Sequence, residues 1–146
     1  MVLWRISHFH DLSGSGGLKY SARWHVAGRP VVYTADSSAG ALLEVCAHTS
    51  RQKAPLSFTL LKVVGPDLAW EEVSLSSLPT NWTDEVVLTR SIGSNWLGAA
   101  KTALMKVPSS LVPESWNYLL NPMHPEARAF QIERAFEYPF DVRLKA

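Results

Sequence analysis

Apolar and aromatic positions in this chain come in short runs, broken by turn-forming residues and never gathered into one long block. VLWRIS, residues 2–7, has the apolar and aromatic content of a strand. DLSGSGGLKYS, residues 11–21, carries Gly14, Gly16 and Gly17 and predicts a loop. Val31 to Ala35 predicts a second strand, after which Asp36 is placed to cap a helix over Ser37 to Ser50. APLSFTLLKVV, residues 54–64, predicts a strand closed by Gly65-Pro66, and AWEEVSL a shorter one before the turn at LPTNW. SNWLGAAKTA, residues 94–103, predicts a helix, and LMKVPSS a short strand running into a turn. NPMHP must be irregular, because proline continues neither a helix nor a ladder. In residues 126–140, Ala129, Gln131 and Glu133 alternate with Phe130, Ile132 and Arg134, which predicts a terminal strand. Strands on both sides of two helices make the chain α+β.

A length of 146 residues fits one domain, residues 1–146, since domains most often run about 100–150 residues. With 47% hydrophobic and 18% charged residues the chain can bury a core. No apolar run reaches the roughly 20 residues that span a bilayer, and MVLWRISHFH lacks the apolar block of a signal peptide. Cys46 is the only cysteine, which leaves no internal disulfide and no thiolate metal site, and its place on the apolar side of a helix suits a small core residue. A cytoplasmic location and no membrane contact are the simplest expectation. The net charge of +1 shows no basic surplus of the kind that phosphate backbones demand, so direct nucleic-acid binding is not expected. His8 and His10 stand two apart, but no carboxylate set completes a metal site, and none is expected. His124, between Pro122 and Pro125, suits a loop buttress.

Three residues stand out against this background. The predicted helix carries one ionised side chain, Glu44. At about 100° per residue, Leu42, Val45, Cys46 and Thr49 fall on one side and Glu44 on the other, with Gly40, Ala41, Ala47 and His48 around it. Two readings fit: an exposed glutamate on a short helix, or a carboxylate left accessible to a ligand by its small neighbours. Arg23, just after the glycine-rich loop and followed by Trp24, is either a surface arginine lying on a ring or a planar fork for a phosphate or carboxylate. Arg5 on the first strand offers the same choice. Tyr33 is either an ordinary sheet residue or a ring that stacks on a flat ligand.

Taken together, these positions resemble the RES domain, a family named for its arginine, glutamate and serine. Its pattern of a glycine-rich loop, Gly-Arg-Trp, Gly-x-x-x-x-Tyr and a helix with Leu-Glu-Val is matched by Arg23-Trp24, by Gly28 with Tyr33, and by Leu43-Glu44-Val45. IGSNWL, Ile92 to Leu97, looks like the family's Gly-x-x-Trp segment. KVPSSLVPESWNYLLNPMHP, Lys106 to Pro125, looks like its Val-Pro-Ser…Asn-x-Leu-x-Asn-Pro-x-His segment, which puts the named serine at Ser109 with Ser110 as the alternative register. Arg5 in LWRIS matches an arginine common on the family's first strand. Ala22 and His25 depart from the usual glycine and asparagine that flank the Arg-Trp pair.

The resemblance implies an ADP-ribosyltransferase-like fold, with a split mixed β core and flanking helices. It also implies a toxin of a toxin–antitoxin pair that consumes NAD as substrate, binds no permanent cofactor, and is inhibited by an Xre-type antitoxin. Cleaving the nicotinamide–ribose bond leaves an oxocarbenium-like centre that a carboxylate stabilises, a role the resemblance gives to Glu44. Arg23, with Arg5, would hold the pyrophosphate, Tyr33 would stack on a ring, and Ser109 would bond the amide or ribose. Trp24, Asn117 and Asn121 would complete the NAD-binding edge of the pocket. Water, phosphate or a protein would serve as acceptor. A non-catalytic member that only binds nucleotide or partner is the rival reading, and oligomeric state stays open.

Overall fold

The computed structural model describes residues 1–145 and gathers the apolar runs into one seven-stranded sheet. The strands are β1 (Val2–Ile6), β2 (Val32–Ala35), β3 (Ser57–Val64), β4 (Trp70–Glu72), β5 (Leu104–Pro108), β6 (Trp116–Leu120) and β7 (Gln131–Pro139). Their order is β4-β5-β6-β2-β1-β3-β7, antiparallel except for the β4–β5 pair. Three helices accompany it: α1 (Gly16–Lys19), α2 (Ser38–His48) and α3 (Val86–Ala99). The α+β class follows directly.

Period-two alternation divides the core between the two faces of the sheet. Met105, Val107 and Leu119 join Trp24, Trp82, Trp96 and Leu97 in one cluster. Leu104 and Leu120, their chain neighbours, join Leu3, Leu61, Val63, Ala127 and Phe130 in the other. β5 and β6 are thus apolar on both faces, with Leu119 and Leu120 at 0% and 1% exposure. That double burial hides β6 from a pattern search, because YLL does not alternate. β6 is a strand that the hydrophobic pattern did not predict.

Three other expectations are corrected. Ser37, not Asp36, caps α2: its backbone is extended and its Oγ accepts from the Gly40 N–H at 2.9 Å. The Asp36 carboxylate instead accepts from the N–H of Trp116. α3 begins at Val86, well before Ser94, and stops at Ala99, where Ala100 turns left-handed. Val86, Val87, Thr89 and Ile92 are β-branched and lower helix propensity, and packing overrides them by burying Thr89, Gly93, Trp96 and Leu97 on one face. The glycine-rich segment is not wholly loop, since it holds the one-turn α1.

The sheet is almost parted at its centre. β1 pairs with β3 from Val2 to Ile6, and β2 pairs with β6 from Val32 to Ala35. Between β1 and β2 only Trp4 and Ala35 are register partners. Beyond that point the strands diverge, and Arg5 and Ile6 no longer face Thr34 and Tyr33 across a ladder. Among the described residues, no helix is long and apolar enough to cross a membrane.

Candidate active site

A cleft of about 590 Å³ opens where β1 and β2 part. That volume lies within the range of small-molecule sites, roughly 300–1,000 Å³. Its walls come from β1 (Trp4, Arg5, Ile6), β2 (Tyr33, Thr34, Ala35), α2 (Ala41, Glu44, Val45, His48) and the segment from Gly16 to His25. Pro108, Ser110 and Asn117 close it from the β5–β6 side.

Side chains of opposite charge, Arg5 and Glu44, line the cleft, and neither makes a close ion pair with a Lys, Arg, Asp or Glu side chain among the described residues. Arg5 is half-buried, and its Nε, itself buried, has no hydrogen-bond partner among the described residues. Burial lowers its pKa, and Asp11 nearby partly offsets this. A guanidinium stays ionised even so. Glu44 is half-buried. Its Oε1 accepts from Asn117 Nδ2 at 2.9 Å, and Oε2 lies 3.7 Å from Nε2 of the exposed His48. The Asn117 amide fixes the carboxylate without neutralising it.

Helix α2 turns Ala41, Glu44, Val45 and His48 towards the cleft, while Cys46 is buried and Ala47 exposed. The accessible stripe is therefore rotated towards Val45, with Glu44 at the margin nearest β6. Ala41 leaves room for a ligand to approach, as its small side chain suggested.

Arg23 borders the same cleft. Its Nη1 donates to the Thr83 carbonyl at 2.8 Å, and its guanidinium carbon lies 5.9 Å from the centre of the Trp82 ring. Arg23 is thus held from outside the cleft, whereas Arg5 is not. The backbone around it is clamped by α3. Thr89 donates through Oγ1 to the Arg23 carbonyl, Arg90 donates through Nε to the Ala22 carbonyl at 2.8 Å, and the Val26 N–H donates to Ser94 Oγ at 3.1 Å. Gly93 makes the clamp possible, because a Cβ there would land on the Trp24 carbonyl. This explains why the Gly93…Trp96 segment matters to a cleft it does not line.

Tyr33 accepts from the Trp24 N–H at 3.3 Å and lies 2.8 Å from His25 Nδ1. Burial raises the phenol's pKa well above its usual 10, so it is neutral. The Trp24 ring belongs to the core, 5.9 Å from Trp82, and the residue is 2% exposed. It forms the floor of the cleft more than a ligand platform.

Two sequence candidates are placed elsewhere. The Ser109 hydroxyl accepts from the N–H groups of Leu111 and Val112, closing the turn after β5, and Ser110 is the serine on the cleft wall. Asn121 is 1% exposed and lies outside the cleft. Its Nδ2 donates to Leu97 and its Oδ1 accepts from Met123, which pins the proline turn. His124 buttresses the same turn, its Nδ1 accepting from the Glu126 N–H. Sequence reasoning passed over the Asn117–Glu44 bond, because its two ends lie 73 residues apart. His48, which the helix periodicity put beside Glu44, does lie near its carboxylate, four residues on. Among the described residues no group of three or more His, Cys, Asp or Glu side chains is placed to share a metal ion.

Comparison with known proteins agrees with this architecture. The family model described as RES domain matches residues 2–141. The chain is 44% identical over 135 residues to "Toxin Res" of Pseudomonas putida, covering 91% of this chain and 92% of that protein. It is 37% identical over 139 residues to "Prs ADP-ribosylating toxin" of Sphingobium sp., covering 92% and 86% respectively. In fold it is similar to a chain in the crystal structure of the M. tuberculosis MbcT–MbcA toxin–antitoxin complex. The TM-score is 0.77 at 17% identity, over 94% of this chain and 84% of that one. By the extent of the family match and the identity to these relatives, the chain belongs to the RES domain family.

Proposed function

We propose that the cleft binds NAD and cleaves the bond between nicotinamide and ribose, and that the protein acts as the toxin of a toxin–antitoxin pair. One observation carries the chemistry: a half-buried guanidinium, Arg5, whose Nε is buried without a hydrogen-bond partner among the described residues, and a half-buried carboxylate, Glu44, face the same cleft. Such a site suits a ligand with an anionic part and a centre that turns positive during reaction. NAD has both. Arg5 and Arg23 would neutralise the pyrophosphate, and Glu44, oriented by Asn117, would stabilise the oxocarbenium-like ribose and hold a ribose hydroxyl.

In the step, the carbon–nitrogen bond breaks and its electron pair passes to the ring nitrogen, so nicotinamide leaves neutral. A lone pair of the acceptor then forms the new bond to the ribose carbon, and the acceptor releases its proton. No general acid is demanded for the leaving group. Ser110, which lines the cleft as Asn117 does, would bond the amide or ribose.

The toxin role is supported by the relatives named "Toxin Res", and an antitoxin partner by the toxin–antitoxin complex whose fold this chain shares. The name of the Sphingobium relative favours a second reading, transfer of ADP-ribose to a protein. Incubating the purified protein with NAD, with and without phosphate or candidate proteins, and weighing the products separates the acceptors. Glu44→Gln should fold and lower turnover by about 10²–10³-fold, as loss of a preorganised charge does. Undiminished turnover in that variant would remove Glu44 from the chemistry. Induced in bacteria, the parent should arrest growth and Glu44→Gln should not.

A further inference from the structure

We propose that His25 is a positioning residue that holds the hydroxyl proton of Tyr33, so that Tyr33 meets a ligand in the cleft only as a hydrogen-bond acceptor. The inference rests on the reading of this cleft as the NAD site. His25 is 1% exposed and joins two parts of the cleft wall. Its Nε2 lies 3.1 Å from the Gly17 carbonyl, and its Nδ1 lies 2.8 Å from Tyr33 Oη. A carbonyl oxygen only accepts, so Nε2 carries a proton. In the neutral ring Nδ1 is then a bare lone pair, and the one group near it with a proton to give is the Tyr33 hydroxyl. Tyr33 Oη also accepts the Trp24 N–H, whose direction is fixed because a backbone amide cannot accept. The phenol therefore keeps a single free lone pair.

Burial of the ring favours this neutral form. His25 is buried between the glycine-rich segment and β2, and the positive charge of Arg90 on α3 opposes a second one on the imidazole. On the β2 side its neighbour is the neutral phenol of Tyr33. On the other side it meets the carbonyls of Gly17 and Tyr20, which favour the charged ring and are outweighed by burial.

The consequence is a division of labour along the cleft. A phenol that can only accept suits a carboxamide N–H or a ribose hydroxyl and repels a phosphate or carboxylate oxygen. The anionic part of the substrate falls to Arg5 and Arg23, and the hydrogen-bond-donating part to Tyr33. The same histidine ties the wall at Gly17 to β2, so loop closure and phenol orientation are set by one side chain.

Long-range proton–nitrogen correlation spectra of the full chain read the tautomer with no need of activity. A protonated Nε2 with a bare Nδ1 is expected, and a ring protonated at Nδ1 overturns the proposal. Two variants then separate the two bonds. His25→Gln can still donate to Gly17 but offers Tyr33 no matching acceptor, whereas His25→Asn keeps the acceptor and loses the tether. For NAD cleavage, His25→Gln should lower kcat/KM about tenfold, the size of one lost hydrogen bond, and His25→Asn should lower it less. Added to Tyr33→Phe, His25→Gln should cost nothing further, because the hydroxyl it positions is already gone. Losses that multiply in the double variant, or equal losses in His25→Gln and His25→Asn, overturn the relay. A parent protein that leaves NAD intact would instead sink the proposed function, and the tautomer spectrum would still decide the state of His25.

Discussion

Arg5 sets stability against binding. Its Nε is buried without a hydrogen-bond partner among the described residues, which costs the unliganded fold stability that an anionic ligand would repay. Arg5→Met keeps the length of the side chain and removes the charge. Thermal unfolding should show that variant more stable by about 1–2 kcal/mol, a gain of the kind seen when a functional charge is given up. Calorimetric titration with NAD in a Glu44→Gln background, where turnover is slow, should show about tenfold or more weaker binding. A variant that is both less stable and equally tight would mean that Arg5 is structural. His25 gives a second test through pH. Its ordinary pKa is 6.5, and burial lowers it in the fold. The unfolded chain therefore takes up this proton first as pH falls, so the stability tied to neutral His25 is full above about 6.5 and shrinks below it. The stability gap between parent and His25→Asn should narrow between pH 7.5 and 5.5, measured by urea unfolding. Glu44 was legible in the sequence because it is a lone charge among small residues. Arg5 was hardly separable from a surface arginine, because what distinguishes it is a buried Nε without a partner, and an absence leaves no local pattern.

Helix α3 acts at a distance from the cleft by gripping the backbone that presents Arg23. Three of its side chains bond residues 22, 23 and 26, and Gly93 lets the Trp24 carbonyl lie against the helix. Gly93→Ala would gain helix propensity of about 1 kcal/mol and lose the clamp. Because the obstacle is backbone, which cannot swing aside, the loss should win by several kcal/mol, as overpacking does. The expected result is a lower thermal midpoint together with a raised KM for NAD, since the Arg23 segment is pushed away. An unchanged midpoint would show that the helix shifts freely and does no clamping. Strands with one solvated face, such as β1 and β7, were readable from their content or alternation. β6 and the first half of α3 were not. β6 is buried on both faces, and α3 opens with β-branched residues that read as anything but helix until Trp24 and Trp82 pack beside it. Ser37 was missed as the cap because Asp36 and Ser37 are equally good by type, and only the backbone angles choose between them.

The sheet is two half-sheets, β4-β5-β6-β2 and β1-β3-β7, joined by one register pair between Trp4 and Ala35. The cleft lies at this seam, with Arg5 on one half and Tyr33 and Asn117 on the other. Glu44, on α2 between the halves in sequence, bonds to Asn117 and so sides with the second half. A ligand whose anionic part is held by Arg5 and whose ribose is held by Glu44 would bridge the seam, replacing a missing ladder with its own contacts. Ligand binding adds RT ln(1 + [L]/Kd) to stability, about 2.7 kcal/mol at a hundredfold excess over Kd, and that gain should appear where the ligand bridges. Hydrogen exchange of Glu44→Gln with saturating NAD should therefore slow the amides of both residues 2–6 and residues 32–36, while β7, far from the seam at the sheet edge, changes little. In the Arg5→Met, Glu44→Gln double variant, brought to equal saturation, protection should persist at residues 32–36 and fade at residues 2–6. Protection confined to one half in the Glu44→Gln protein would mean that the ligand sits against a single wall. The parted sheet would then be a feature of the fold and no part of how the cleft holds its substrate.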